Sequence, residues 1–138
     1  MPTGVAGTQA RQYHSQQLHY FRKTVNYNDA GIGSGVQFGV FPKGAKIRDA
    51  MASVETGFNS AGTNRLVIGT NSTSFNNIMT STVAAASTTG NKQSLVGGAL
   101  AAFTQDTPVY VKYTAATGTA ATAGKAVISV SYMPDNDK

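Results

Sequence analysis

Cysteine is missing from this 138-residue chain, which excludes disulfides, thiolate zinc sites, iron–sulfur clusters and thiol nucleophiles together. Charge is scarce as well: only 12% of residues carry it, 11 Lys and Arg against 6 Asp and Glu, for a formal net charge of +5. A basic balance favours acidic surfaces or nucleic acid. Phosphate-binding surfaces, however, show dense cationic stripes. Here the cations stand singly or in small groups, mostly in the first half, at Arg11, Arg22, Lys23, Lys43, Lys46, Arg48 and Arg65. Direct nucleic-acid contact is therefore not expected. No apolar run approaches the roughly 18 residues of a membrane helix. Residues 1–17 have neither a basic n-region nor an apolar h-region. The expectation is no membrane span and no secretion signal.

What is present is β-branched, aromatic and punctuated by turn residues. A chain of 14.3 kDa fits one domain, one large enough to be stabilised by burial without staples. Residues 1–16 hold almost no large apolar side chain and are expected to form an extended N-terminal arm. Residues 17–134 are expected to form a single β-sandwich domain, and 135–138 a frayed C-terminus.

Within the domain, His19, Phe21, Lys23 and Val25 alternate with Leu18, Tyr20, Arg22 and Thr24, as on the two faces of a strand. The glycines and Asn-Asp of residues 28–35 predict a loop. Val36, Phe38 and Val40 alternate in a short strand that Pro42-Lys43-Gly44 ends. Across residues 45–58 the apolar set shifts, Ile47 with Met51 and then Ala52, Val54, Thr56 and Phe58, and a β-bulge explains the slip. Residues 59–64 are turn chemistry and Arg65-Leu66-Val67-Ile68-Gly69 is a compact strand, so the two flanking strands are expected to form a hairpin. Residues 70–90 offer only Phe75, Ile78 and Met79 as apolar anchors. The run 95–103 reads as strand in preference to helix. Val109, Val111 and Tyr113 make a clear strand with Pro108 at its start, where no ladder donor is needed. Ala126, Ile128, Val130 and Tyr132 give the last strand its inward face.

Seven or eight strands and no helical period predict an all-β, jelly-roll-like sandwich. Immunoglobulin-like topology is the competitor. The Cys and Trp marks of antibody-type domains are missing, but the broader sandwich class does not require them.

The chemical inventory is thin. His14 and His19 are the only histidines, with Asp29, Asp49 and Glu55 nearest in sequence, and nothing resembles a nucleophile elbow. No catalytic, cofactor-binding or metal-binding residue is assigned, and no enzyme is expected. Gly31, Gly33, Gly35 and Gly39 miss the phosphate-cradle spacing. Asn71-Ser72-Thr73 matches a glycosylation sequon that carries no weight without a secretory signal. Tyr13, Tyr20, Tyr27 and Tyr110 are read as packing residues before base-stacking ones. Lys43, Lys46 and Arg48 form the one local cationic group. They fit equally a solvated turn or the rim of a contact to an acidic partner.

The segments Lys23-Thr24-Val25-Asn26-Tyr27-Asn28-Asp29, Gly33-Ser34-Gly35-Val36-Gln37-Phe38-Gly39, Pro42-Lys43-Gly44-Ala45 and Asp106-Thr107-Pro108-Val109-Tyr110-Val111-Lys112-Tyr113 together resemble the capsid cement (decoration) proteins of short-tailed, Bordetella-type bacteriophages. That resemblance implies a jelly-roll sandwich that forms a homodimer on the outer capsid surface and clamps neighbouring major capsid protein subunits, with no cofactor and no catalytic residue. Arg11, Lys43, Lys46 and Arg48 are then candidate capsid-contact residues. Two other readings stay open. One is a coat, tail or fibre-base protein forming its own assembly; the other is a nucleic-acid or carbohydrate-binding module.

Overall fold

The computed structural model describes residues 18–61, 63–71, 74–80, 86–93, 102–115 and 120–134. The expected arm and the C-terminal 135–138 lie outside these residues, as do 94–101, the body of the expected strand at 95–103. Among the described residues, seven strands are formed: β1 (His19–Asn26), β2 (Val36–Phe41), β3 (Lys46–Thr56), β4 (Arg65–Gly69), β5 (Gly90–Gln93), β6 (Thr107–Thr114) and β7 (Lys125–Met133). They build two antiparallel sheets, one ordered β1-β7-β3-β5 and the other β2-β6-β4.

The seven strands alternate between the two sheets in chain order. An isolated antiparallel bridge from Ile68 to Met79 lies where an eighth strand completes the second sheet of a jelly roll. The sandwich expected from the sequence is thus the fold observed. The hairpin expected of β3 and β4 is not. β3 lies between β7 and β5, while β4 pairs with β6 in the facing sheet. The turn residues reverse the chain without deciding which layer it rejoins. At the end of that turn Asn64 is buried and accepts a hydrogen bond from the Tyr113 hydroxyl of β6. Its carboxamide also accepts from the Ser60 amide at 3.2 Å and donates to the Ser60 carbonyl at 3.0 Å. A buried amide is tolerated only when bonded in this way.

The core comes from the inward residues of both sheets. Ala126, Ile128, Val130 and Tyr132 of β7 alternate with half-buried Val127, Ser129 and Ser131, as the period of two predicts. Val109, Val111 and Tyr113 of β6 face them with Leu66 and Ile68 of β4. Each large apolar side chain withdrawn completely from water contributes about 1.5–3 kcal/mol. At one end the core is aromatic. Phe41 stacks on Phe103 with centroids 4.8 Å apart, and Phe21 lies 5.2 Å from Phe41 and 5.0 Å from Tyr132. Burial holds the Tyr132 phenol above its ordinary ionisation range.

Bulges re-aim two strands. In β3 the register slips between Ile47 and Asp49, so the inward set changes from Ala45 and Ile47 to Ala50, Ala52 and Val54. Met51, expected inward, therefore turns outward, and a second slip between Val54 and Thr56 turns Thr56 outward as well. In β2 the slip between Gln37 and Gly39 leaves Val40 exposed and buries Phe41 instead. Pro108 enters β6 where β4 no longer reaches, because that ladder ends at Tyr110. β5, Gly-Asn-Lys-Gln, was not anticipated: a polar edge strand carries no apolar alternation.

The sheet edges are managed individually. β2 is bulged, β5 has four residues, and β4 is bridged by Met79. β1 runs unbulged for eight residues, but Lys23 stands on its inward face opposite Ile128. An inward-pointing charge opposes edge-to-edge pairing.

Candidate docking face

The two sheets present very different outer surfaces. On the three-stranded sheet, the outward residues are Tyr110 and Lys112 of β6 with Val67 and Gly69 of β4. The chain leaving β4 folds back over them. Phe75 sets its ring 4.5 Å from that of Tyr110 and lies against Gly35. Gly35, with φ of 103°, has no side chain to displace the ring. Phe75 itself holds φ of 48°, an uncommon conformation for an aromatic residue, which surrounding bonds must enforce. They are the Phe75 amide to the Asn71 carbonyl at 3.1 Å, the Asn76 amide to Asn71 Oδ1 at 2.9 Å, and the Thr70 amide to Asn77 Oδ1 at 2.7 Å. Asn77 Nδ2 also donates to Thr70 Oγ1 at 2.9 Å.

The four-stranded sheet has no comparable cover among the described residues. Its outward rows follow from the register. Tyr20, Ser131 and Asp49 form one row; Arg22, Ser129, Met51 and Gln93 the next; Thr24, Val127, Ser53 and Asn91 a third. Small residues run down β7 between larger ones on β1 and β3. The result is a shallow trough whose lining includes Tyr20, Arg22, Met51, Glu55, Val127 and Ser129. At the end where β1 starts, Met133 lies opposite Lys46, and continuing the register by one residue sets Leu18 beside Met133. Tyr20 is 67% exposed, Leu18 44% and Met133 42%.

Two of the four candidate contact residues thus reach this face. Lys46 and Arg48, both exposed, occupy the first strand positions and the bulge of β3. Lys43 lies on the preceding turn, where its amide donates to Asp106 Oδ1 at 2.9 Å. Arg11 is outside the described residues. Leu18 and Tyr20 share a strand face in the sequence, but their meeting with Met133 and these cations is not legible there, because Met133 lies more than a hundred residues further along the chain.

The remaining candidates disperse. The His19 ring packs 5.7 Å from Tyr132, Asp29 Oδ2 accepts the Asn26 amide, and Glu55 pairs with Lys125 at 3.1 Å. Among the described residues, no three His, Asp or Glu side chains form a metal-sized group. Tyr27 packs against the core and Tyr110 under Phe75, as packing residues should, whereas Tyr20 is exposed. A second cleft, between Tyr27, Ile32, Tyr113 and Ala121, is mainly apolar.

Comparison with solved structures places the architecture. A chain of the cyanophage Pam1 capsid asymmetric unit superposes with a TM-score of 0.63 at 19% identity, covering 86% of this chain and 86% of its own. The two chains share a fold. A chain from the acid-stable capsid of Helicobacter pylori bacteriophage KHP30 matches at a TM-score of 0.50 and 16% identity, over 86% of this chain and 89% of its own. Equal coverage makes the Pam1 chain about as long as this one, so the likeness runs nearly end to end. No family model and no curated protein sequence matches.

Proposed function

We propose that the chain is a structural virion protein, without catalysis, that binds the outer surface of a phage head and stabilises its lattice of major capsid subunits. The observation that carries this reading is the near end-to-end likeness to a chain of the Pam1 capsid. The sequence resemblance to cement proteins points the same way. On this reading the protein is a homodimer on the capsid, and Arg11, Lys43, Lys46 and Arg48 supply contacts to it.

The physics is linkage. A protein that binds the assembled lattice and not its dissociated subunits shifts the equilibrium toward assembly, by an amount set by its concentration relative to its Kd. No bond is made or broken.

The test is sedimentation of the purified chain with expanded, DNA-emptied heads prepared without it, followed by heating. Saturable co-sedimentation and a raised disassembly temperature are expected. Failure to bind overturns the reading, and a large closed oligomer of the free chain would then identify a separate assembly.

A further inference from the structure

We propose that the chain docks through the outer face of its four-stranded sheet, at the end holding Leu18, Tyr20 and Met133, and that the occupant is an acidic protein surface of the lattice. The inference rests on the reading above and adds the place, the apolar anchor and the partner's charge.

Four large apolar side chains are exposed among the described residues, Leu18, Tyr20, Val40 and Met133, and three of them converge here. Single exposed apolar residues are ordinary. A tyrosine, a methionine and a leucine grouped on one sheet face, with arginine and lysine beside them, have the composition of an interface centre and its rim. The opposite sheet does not offer this, because the chain's own Phe75 already occupies the surface over Tyr110.

Charge selects the occupant. Glu55 is paired with Lys125, and Asp49, held by the Ala50 amide and the Gln93 carboxamide, leaves one carboxylate against three cations. Among the described residues, Arg22, Lys46 and Arg48 have no ion-pair partner. The uncompensated charge is therefore positive. A second copy seated on the same patch would bring an identical positive set against it, since a two-fold contact is self-complementary. Like charges in apposition select against that pairing. An acidic surface satisfies the cations and accepts the apolar anchor together.

The experiment compares four proteins for binding to emptied heads at low and high salt: the wild type, Tyr20→Ser with Met133→Ser, Lys46→Glu with Arg48→Glu, and Gln37→Glu on the three-stranded sheet as control. Each double variant should bind about tenfold or more weakly, and the charge-reversed one should lose most of the salt dependence. The control should bind as wild type. Wild-type affinity in both double variants, with the wild type itself saturating, overturns this inference and leaves the cement reading standing. A wild type that does not bind overturns both. If the serine variant converts a free dimer to monomers and still binds heads, the face belongs to a contact between copies and the inference is wrong. Should the serine variant fail to fold, the charge-reversed variant, which alters only exposed side chains, decides alone.

Discussion

The outer faces of the two sheets are built on the same alternation, yet one is closed by the chain itself and the other is left open. Over the three-stranded sheet, the asparagines at 71, 76 and 77 fix a turn that lays Phe75 on Tyr110. Over the four-stranded sheet, Val127 and Ser129 leave a trough beside an exposed Tyr20. Side chains on the closed face should therefore govern folding stability. Those on the open face should be nearly neutral for folding and should matter for association.

The strongest test is Gly69→Val. A side chain there collides with the backbone of Phe75 and Asn76 and with Asn77 Oδ1. Overpacking of this kind costs about 1–3 kcal/mol or more, because neighbouring backbone must move. Urea unfolding should show a clearly lowered midpoint, while Ser129→Val on the open face should change stability by only about 0.5 kcal/mol. Equal losses would dissolve the contrast.

Phe75→Ala should follow, costing about 1–2 kcal/mol: the ring is half-buried, so the loss is smaller than that of a core phenylalanine. Asn77→Ala, which removes the bonds to the Thr70 amide and hydroxyl, should cost about 1 kcal/mol. Tyr20→Ser should leave the melting temperature within a degree or two of wild type, on the order expected for an exposed site.

The smallest effects sharpen the electrostatics. The Lys125–Glu55 pair is 48% exposed at both side chains, so Glu55→Gln should change stability by less than about 1 kcal/mol, and less still at high salt. The raised ionisation of Tyr132 means that the folded state holds this proton more tightly than the unfolded chain. Its contribution is complete at neutral pH and declines as pH climbs past the ordinary tyrosine range, where only the unfolded chain has ionised. Tyr132→Phe should flatten that alkaline decline in a melting series.

Much of the sandwich was legible in the sequence because alternation is a local signal. β7 reads off as Ala126, Ile128, Val130 and Tyr132 without any knowledge of its neighbours. The bulge in β3 was visible as a slip in the apolar set, although Met51 was put on the wrong side of it. Ile78, Met79 and Phe75 were the anchors of an otherwise featureless stretch, and the first two are fully buried. The hairpin that the turn at 59–64 predicts does not form, and the polar β5 leaves no trace in the sequence, because both depend on partners distant along the chain. Of the docking face, Lys46 and Arg48 could be picked out as a local cationic group. Leu18 and Tyr20 read as one strand face, but their meeting with Met133 and Lys46 does not.

By itself, then, the sequence determined an all-β chain: period-two alternation, β-branched strands, glycine and asparagine turns, and no thiol chemistry. Those properties act over a few residues and need no knowledge of what lies across the sheet. Only the tertiary structure decided that β3 and β4 part into different layers, that Phe75 closes one face, and that Leu18 and Met133 meet beside Lys46 on the other. Each of these is a contact between residues far apart in the chain, and its energy exists only once both sheets have formed.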